Sequence, residues 1–366
     1  MLNLKEASET NLSVILSLPR DFPGITHLNF EESNDDDSVS DAVCQWNELR
    51  SFAWKNSNRE LTHHLIHLAN LSNLQDLSIR LPELDSPSWQ IQLSSFHQLE
   101  FRALRTAQFR CQNISSCRSF MDLVSSQCPI ESLTVDIHQG PDAISLRNFC
   151  QTLNARYSPM TFTKLSIICD SNRWSKPPFA DQDIIDEETF QPLLGFPNMR
   201  HVTIDIPRPF ALGNKILKDI TECWPQLQLL AIGSLGGWGG HSQVTLAGLI
   251  PLLSLPTLGW LRIVVNASSV DIPLMPKTEV PNTKLSKLHL GDSVIHDAPS
   301  VAACLSDVLP NVTEIRSWGD TLAMATIASV SVADVKNYQS RWGEVVSLMK
   351  AAKVQQGRDC VGDVLP

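Results

Sequence analysis

Residues 196–207 read FPNMRHVTIDIP, and residues 309–319 read LPNVTEIRSWG. Each begins with an apolar residue and a proline, continues through a short polar spacer, and then places apolar side chains three and two residues apart. One phrase written twice implies a copied unit rather than a single folded core. Searching for apolar-x-x-apolar-x-apolar finds many more copies. Their middle residues are Leu28, Phe52, Leu77, Ala107, Leu133, Leu165, Val202, Leu230, Leu261, Leu288 and Ile315, spaced 24 to 37 residues apart.

That spacing is the period of leucine-rich repeats, slightly stretched. The last two apolar positions of each triplet alternate with other residues. Such alternation is how a short strand turns one side to a core and the other to water. Helical periodicity fills the intervals, as in Glu60–Leu71, where Leu61, Leu65 and Leu68 recur at spacings of four and three. Similar segments are Leu146–Asn154, Asn214–Cys223, Thr245–Leu253 and Val301–Val308, and prolines 129, 197, 225, 256 and 310 close helices before the next strand. One such unit buries too little apolar surface to stand alone, so neighbours must complete its core.

The pattern predicts an α/β, leucine-rich-repeat-like solenoid with parallel strands on the concave face and helices on the convex face. It is expected to span residues 1–350 as about eleven irregular repeats, beginning on a half repeat at Leu12–Leu18. An amphipathic helix near 341–353, with Trp342, Val345, Val346, Met349 and Ala352 on one face, is expected to cap the array. A loose tail is expected over 354–366. Residues 170–190 lengthen one repeat and are expected to form a loop ending in a capped helix.

Composition narrows the function. The 366 residues carry a formal charge of -10, which argues against nucleic acid and anionic membranes as partners. No apolar run approaches the length of a membrane span, and the N-terminus lacks the build of a signal peptide. Nine cysteines without regular pairing fit reduced thiols and a cytoplasmic or nuclear protein.

Signals for chemistry are weak. GSLGGWGGH at 233–241 lies between a strand and a helix, as a phosphate cradle would, but lacks both the Lys-Ser/Thr pair and the spacing of a dinucleotide fingerprint. A tight turn with Trp238 packing on its edge is the better reading. His63 and His67 stand one helical turn apart without a third ligand, and the aspartates of 32–40 lack the glycine and glutamate of a calcium loop. No nucleophile elbow occurs. The expectation is therefore no enzyme, no metal and no cofactor.

From Leu227 onward the wording becomes more specific. The TLAGL, LGDS, VLPN and SWGD segments and the closing RWGEV, together with EETFQPLLGFPNMRHVTIDI at 187–206, resemble the repeat region of F-box/leucine-rich-repeat-like proteins of basidiomycete fungi. The resemblance covers residues 188–350 well and the remainder only through the repeat. It implies the substrate-recognition region of a ubiquitin ligase subunit, with an unidentified protein substrate. In that family an N-terminal F-box docks on a Skp-type adaptor. Here Leu18-Pro19 is followed at once by FPGITHLNF, the first repeat, so the F-box is expected to be missing, and the adaptor is a partner only if one is restored upstream. The alternative is a stand-alone repeat scaffold.

The residues flanking the two strand apolars should face water and form rows across the sheet. They include Asp76, Arg80, Arg110, Asp136, His201, Asp205, Trp260, Arg262, Lys287 and Arg316. Mixed charge with arginine and one exposed tryptophan suits a protein-binding face. Trp260, beside Leu229 and Ala231, is the residue with no folding reason to face outward.

Overall fold

The structure, a computed structural model, describes residues 2–4, 12–30, 42–54, 62–81, 98–169, 180–233, 237–240, 242–269, 281–319, 326 and 328–362. The acidic segment 32–40 lies outside them. The chain forms two compact units: Met1–Gly140 with Asn148–Asp170, and Pro141–Arg147 with Ser171–Pro366. Both are built from the same repeat.

In the first unit, strands β1 (Leu2–Leu4), β2 (His27–Phe30), β3 (Ser51–Trp54), β4 (Asp76–Arg80), β5 (Thr106–Cys111), β6 (Ser132–Ile137) and β7 (Lys164–Cys169) lie parallel in chain order. Their register aligns the middle apolar residues: Leu28, Phe52, Leu77, Ala107, Leu133 and Leu165 stand opposite one another across successive strands. All six are buried. β1 corrects the expected start on a half repeat, because Leu2–Leu4 already pairs with Leu28–Phe30.

In the second unit, β9 (His201–Asp205), β11 (Leu229–Ile232), β12 (Trp260–Arg262), β14 (Lys287–His289) and β16 (Glu314–Arg316) repeat the arrangement. Val202, Leu230, Leu261, Leu288 and Ile315 share one register line. Two-residue strands add a second row: β8 (Ile185–Asp186) pairs with β10 (Phe210–Ala211), and β13 (Asn266–Ala267) with β15 (Val294–Ile295). Each unit is thus a leucine-rich-repeat-like α/β solenoid.

The apolar-proline phrase that opens four of the second unit's repeats is a β-turn. The N–H of Met199 donates to the carbonyl of Phe196 (3.2 Å), Leu227 to Trp224 (3.1 Å), Leu258 to Leu255 (3.2 Å) and Val312 to Leu309 (3.3 Å). Proline occupies the second position of all four turns, where its fixed φ suits the fold of the chain and no N–H is needed. The apolar residues at both ends of these turns are buried. The phrase therefore encodes a helix exit anchored at two points.

The helices are α1 (Leu12–Asp21), α2 (Thr62–Asn70), α3 (Ile114–Leu123), α4 (Ala143–Arg156), α5 (Glu187–Phe190), α6 (Asn214–Cys223), α7 (Leu246–Leu253), α8 (Ala298–Val308) and α9 (Val332–Gly362). The capped helix expected after residue 170 is α5, where the Asp186 carboxylate accepts from the Thr189 N–H at 3.2 Å. Helix starts in the second unit are also linked from repeat to repeat. Glu187 accepts from the Gly213 N–H (3.1 Å), and Asn214 accepts from the Thr245 N–H (2.8 Å) while donating to its hydroxyl (3.0 Å). Donors left open at a helix start are thereby satisfied by the preceding repeat.

The C-terminal helix differs most from expectation. It begins at Val332 rather than near 341, and it continues through Gly362 where a loose tail was expected from 354. Ser331 explains the early start, since its hydroxyl accepts from the Asp334 N–H (3.1 Å) and donates to the Asp334 carboxylate (2.6 Å). The buried face runs through Val335, Trp342, Val345 and Met349, whereas Ala352 is exposed. Trp318 and Trp342 both donate their indole N–H to the Ser293 carbonyl, at 2.8 and 3.0 Å. Among the described residues no helix is long and apolar enough to cross a membrane.

Candidate functional site

The ten residues expected to face outward divide between the two units. Asp76, Arg80, Arg110 and Asp136 belong to the first. Register places Arg80 beside Arg110 and Arg110 beside Asp136. The neighbouring row carries a polar chain, in which Ser78 donates to Gln108 (3.4 Å) and Gln108 donates to Asp136 (3.0 Å). Ser78, Ile79, Gln108, Arg110 and Asp136 line a cavity of about 10 Å³. That volume holds no more than a water molecule. Asp76 is exposed and the other three are half-buried.

In the second unit the strand face is built differently. Trp260 is 37% exposed at the start of β12, opposite Leu229 on β11. Its indole stacks on the His289 ring, with centroids 5.4 Å apart at an interplanar angle of 23°. The Arg262 guanidinium carbon lies 5.2 Å from the indole centroid, within cation–π range. Register then sets Arg262 beside His289 and His289 beside Arg316. Lys287 stands beside Glu314, with an ion pair at 3.2 Å, and Glu314 also accepts from the Arg316 Nε.

Electrostatics follow from this crowding. The His289 imidazole is held below its ordinary value by partial burial and by the adjacent Arg262 and Arg316. The Glu314 carboxyl is held low by hydrogen bonds from Arg316 and Lys287. Neither residue was anticipated, although both occupy the same alternating positions that singled out Arg262 and Lys287. The spacing was the signal that could have found them. His201 is half-buried on β9, and Lys287 and Arg316 are exposed. Asp205 is a correction: it is only 7% exposed and is not part of a water-facing row. It follows Ile204 at the end of β9, where the chain turns from the sheet into the buried run Ile206–Phe210.

The glycine-rich loop holds a carboxyl group of the chain's own. Asp292, buried at the turn after β14, accepts from the backbone N–H groups of Trp238 (2.7 Å) and Gly240 (3.1 Å). A side chain on Gly237 would overlap the Asp292 carboxyl. Gly237, Gly239 and Gly240 all have positive φ, at 80°, 68° and 78°. Trp238 is fully buried against Phe210, its indole N–H donating to the Ile232 carbonyl at 2.9 Å. The donors that would cradle a phosphate are therefore occupied from within.

Several cysteines serve as core fillers. Cys111, Cys117, Cys128 and Cys150 are buried. Burial is the largest cause that pushes the Cys111, Cys128 and Cys150 thiols up to about 12, and Cys117 is pushed up as well. Such groups stay protonated and unreactive. The side chains of His63 and His64 lie outside the described residues, and His67 Nε2 lies 3.3 Å from the Trp46 carbonyl. Among the described residues no group of three or more His, Cys, Asp or Glu is gathered as metal ligands.

No protein-family model and no curated protein matches this chain. Among solved structures it is similar to a chain of the crystal structure of the Rad7 and Elc1 complex in yeast. That match has 16% identity and a TM-score of 0.44, and covers 86% of this chain and 85% of the other. It is also similar to the Leptospira interrogans LRR protein LIC12759, with 11% identity and a TM-score of 0.39, covering 86% of this chain and 83% of that one.

Proposed function

We propose that this chain is a protein-recognition scaffold and that the outward strand face of its second unit is the binding surface. The observation that carries this reading is Trp260. A large indole stands exposed on a strand face, braced by His289 on one side and Arg262 on the other. Tryptophan and arginine are the side chains most enriched among residues that dominate binding energy at interfaces. A solvated strand position has no need of either. His201, Lys287 and Arg316 are proposed as the polar surroundings of that contact, and Asp76, Arg80, Arg110 and Asp136 as polar contact positions on the first unit by itself.

The finer role comes from the sequence resemblance: recognition of a protein substrate for an F-box-type ubiquitin ligase. In that role an F-box supplies the contact with a Skp-type adaptor while the repeats hold the target. Copurification of this chain with a Skp-type adaptor, with and without an F-box fused ahead of Met1, tests it. Adaptor binding only by the fused form is expected. Adaptor binding by the unfused chain would contradict this division of labour.

The recognition surface itself is tested by Trp260→Ala. The side chain is exposed and not part of the core, so circular dichroism and the melting temperature should match the parent protein. Capture of the partners that the parent chain retains should fall by about tenfold or more, as for a central interface tryptophan. Unchanged capture would remove Trp260 from the surface.

A further inference from the structure

The charged groups around Trp260 are unevenly paired. Across four strands of the second unit, Ala231, Arg262, His289 and Arg316 follow one another in register. Neighbouring strands are about 4.8 Å apart, so two guanidiniums flank one imidazole. Glu314 answers Arg316 and Lys287. Arg262 has no such answer: two residues before it on its own strand stands Trp260, where Arg316 has Glu314. Among the described residues no carboxylate pairs with Arg262, and its Nε is buried without a hydrogen-bond partner. The guanidinium is met by the indole face of Trp260 instead, and a carboxylate from outside would add the charge-assisted hydrogen bond that Arg316 already makes to Glu314.

We propose that this patch binds an acidic segment of a partner protein, which lays a carboxylate against Arg262 and an apolar side chain against Trp260 and Leu229. The inference rests on the strand face being the recognition surface. Charge complementarity selects the occupant. Arg262, Lys287 and Arg316 outnumber Glu314, on a chain whose formal charge is -10. An acidic segment is repelled by the rest of the chain's charge and attracted here, which gives orientation as well as affinity. Nucleic acid is disfavoured because Glu314 stands among these cations, in the adjacent row beside Lys287, and among the described residues no extended basic stripe continues them.

The proposal also fixes a pH response. Partial burial and then the groups around it, Arg262, Arg316 and Lys287, hold the His289 imidazole below its ordinary value, and Glu314 opposes them. A carboxylate arriving beside Arg262 offsets the cations and favours the imidazolium. Binding therefore favours proton uptake, and affinity should rise as pH falls below the ordinary imidazole value of 6.5.

The test is selection of a phage-displayed random 12-residue peptide library on the full chain. Selected peptides are then measured by fluorescence anisotropy against the parent, Trp260→Ala and Arg262→Gln, all checked for an unchanged melting temperature. Expected are peptides enriched in Asp and Glu over the unselected library, binding at least about tenfold more weakly to Arg262→Gln, and losing affinity at high salt. Peptides that lose binding to Trp260→Ala but show no acidic enrichment and ignore Arg262→Gln would overturn the acidic partner and leave the recognition face standing. Peptides indifferent to both variants, or no selected peptide at all, would overturn both. An oligothymidylate 12-mer bound more tightly than the best peptide would also overturn the acidic partner, in favour of nucleic acid.

Discussion

Asn282 joins two repeats through one side chain. Its amide nitrogen donates to the carbonyls of Leu255 and Leu258, both at 2.9 Å. Its amide oxygen accepts from the N–H groups of Lys284 and Leu285, at 2.9 and 3.0 Å. The full bonding capacity of the amide is used inside a buried turn. Asn282→Ala should therefore destabilise the second unit by about 3 kcal/mol or more, because each buried group left unpaired costs about 1–3 kcal/mol. A denaturant midpoint equal to the parent's would contradict this. Asp292 makes a second prediction, in pH. Burial raises its carboxyl above the ordinary value, against the opposing N–H groups of Trp238 and Gly240. A folded-state pKa above the unfolded one favours the protonated form on folding. The stability it contributes is full below the ordinary value of 3.8 and is lost as pH rises through the folded value. Asp292→Asn should remove that decline, so its unfolding free energy should vary less with pH across this window than the parent's.

At the scale of elements, legibility in the sequence followed the length of each periodic signal. Every middle residue of the eleven triplets lies in a strand, because alternation with a partner three residues earlier is a long and redundant pattern. Helix α3 was not read. Its sequence, ISSCRSFMDL, is rich in residues of modest helix propensity, and what starts it is the Asn113 side chain accepting from the Ser116 N–H at 2.9 Å. The second-row strands β8, β10, β13 and β15 are two residues long, too short for any periodicity to register. On the strand face, the expected residues included Trp260, Arg262, Lys287 and Arg316 but not His289, which stacks on Trp260, or Glu314, which pairs with Lys287 and Arg316, although both stand at the same alternating positions. The C-terminal helix was found by its amphipathic stripe, and its true start lay in the Ser331 cap. Its anchoring predicts that Trp342→Ala, which deletes a buried indole and its bond to Ser293, destabilises by about 3–5 kcal/mol. Ala352→Ser, on the exposed side, should leave the melting temperature unchanged. An equal effect of both substitutions would show that the helix is not seated through Trp342.

Over the whole molecule, two units share one repeat yet present different strand faces. The first unit's Ser78, Gln108 and Asp136 bond to one another along the sheet. The second unit's face leaves Trp260 exposed, with Arg262 against its ring and, among the described residues, no carboxylate paired with Arg262. Difference of this kind between otherwise equivalent repeats is where a repeat protein acquires a partner, because the core positions are committed to stacking and only outward positions are free to vary. Hydroxyl-radical footprinting of the full chain, alone and with its tightest captured partner, tests this most directly, since it reads side-chain exposure residue by residue. Oxidation of Trp260 and His289 should fall on binding, while exposed Met160 on the first unit and Val354 on the C-terminal helix react as before. Protection at Met160 or Val354, with Trp260 and His289 still reactive, would contradict the assignment of the second unit's strand face as the recognition surface.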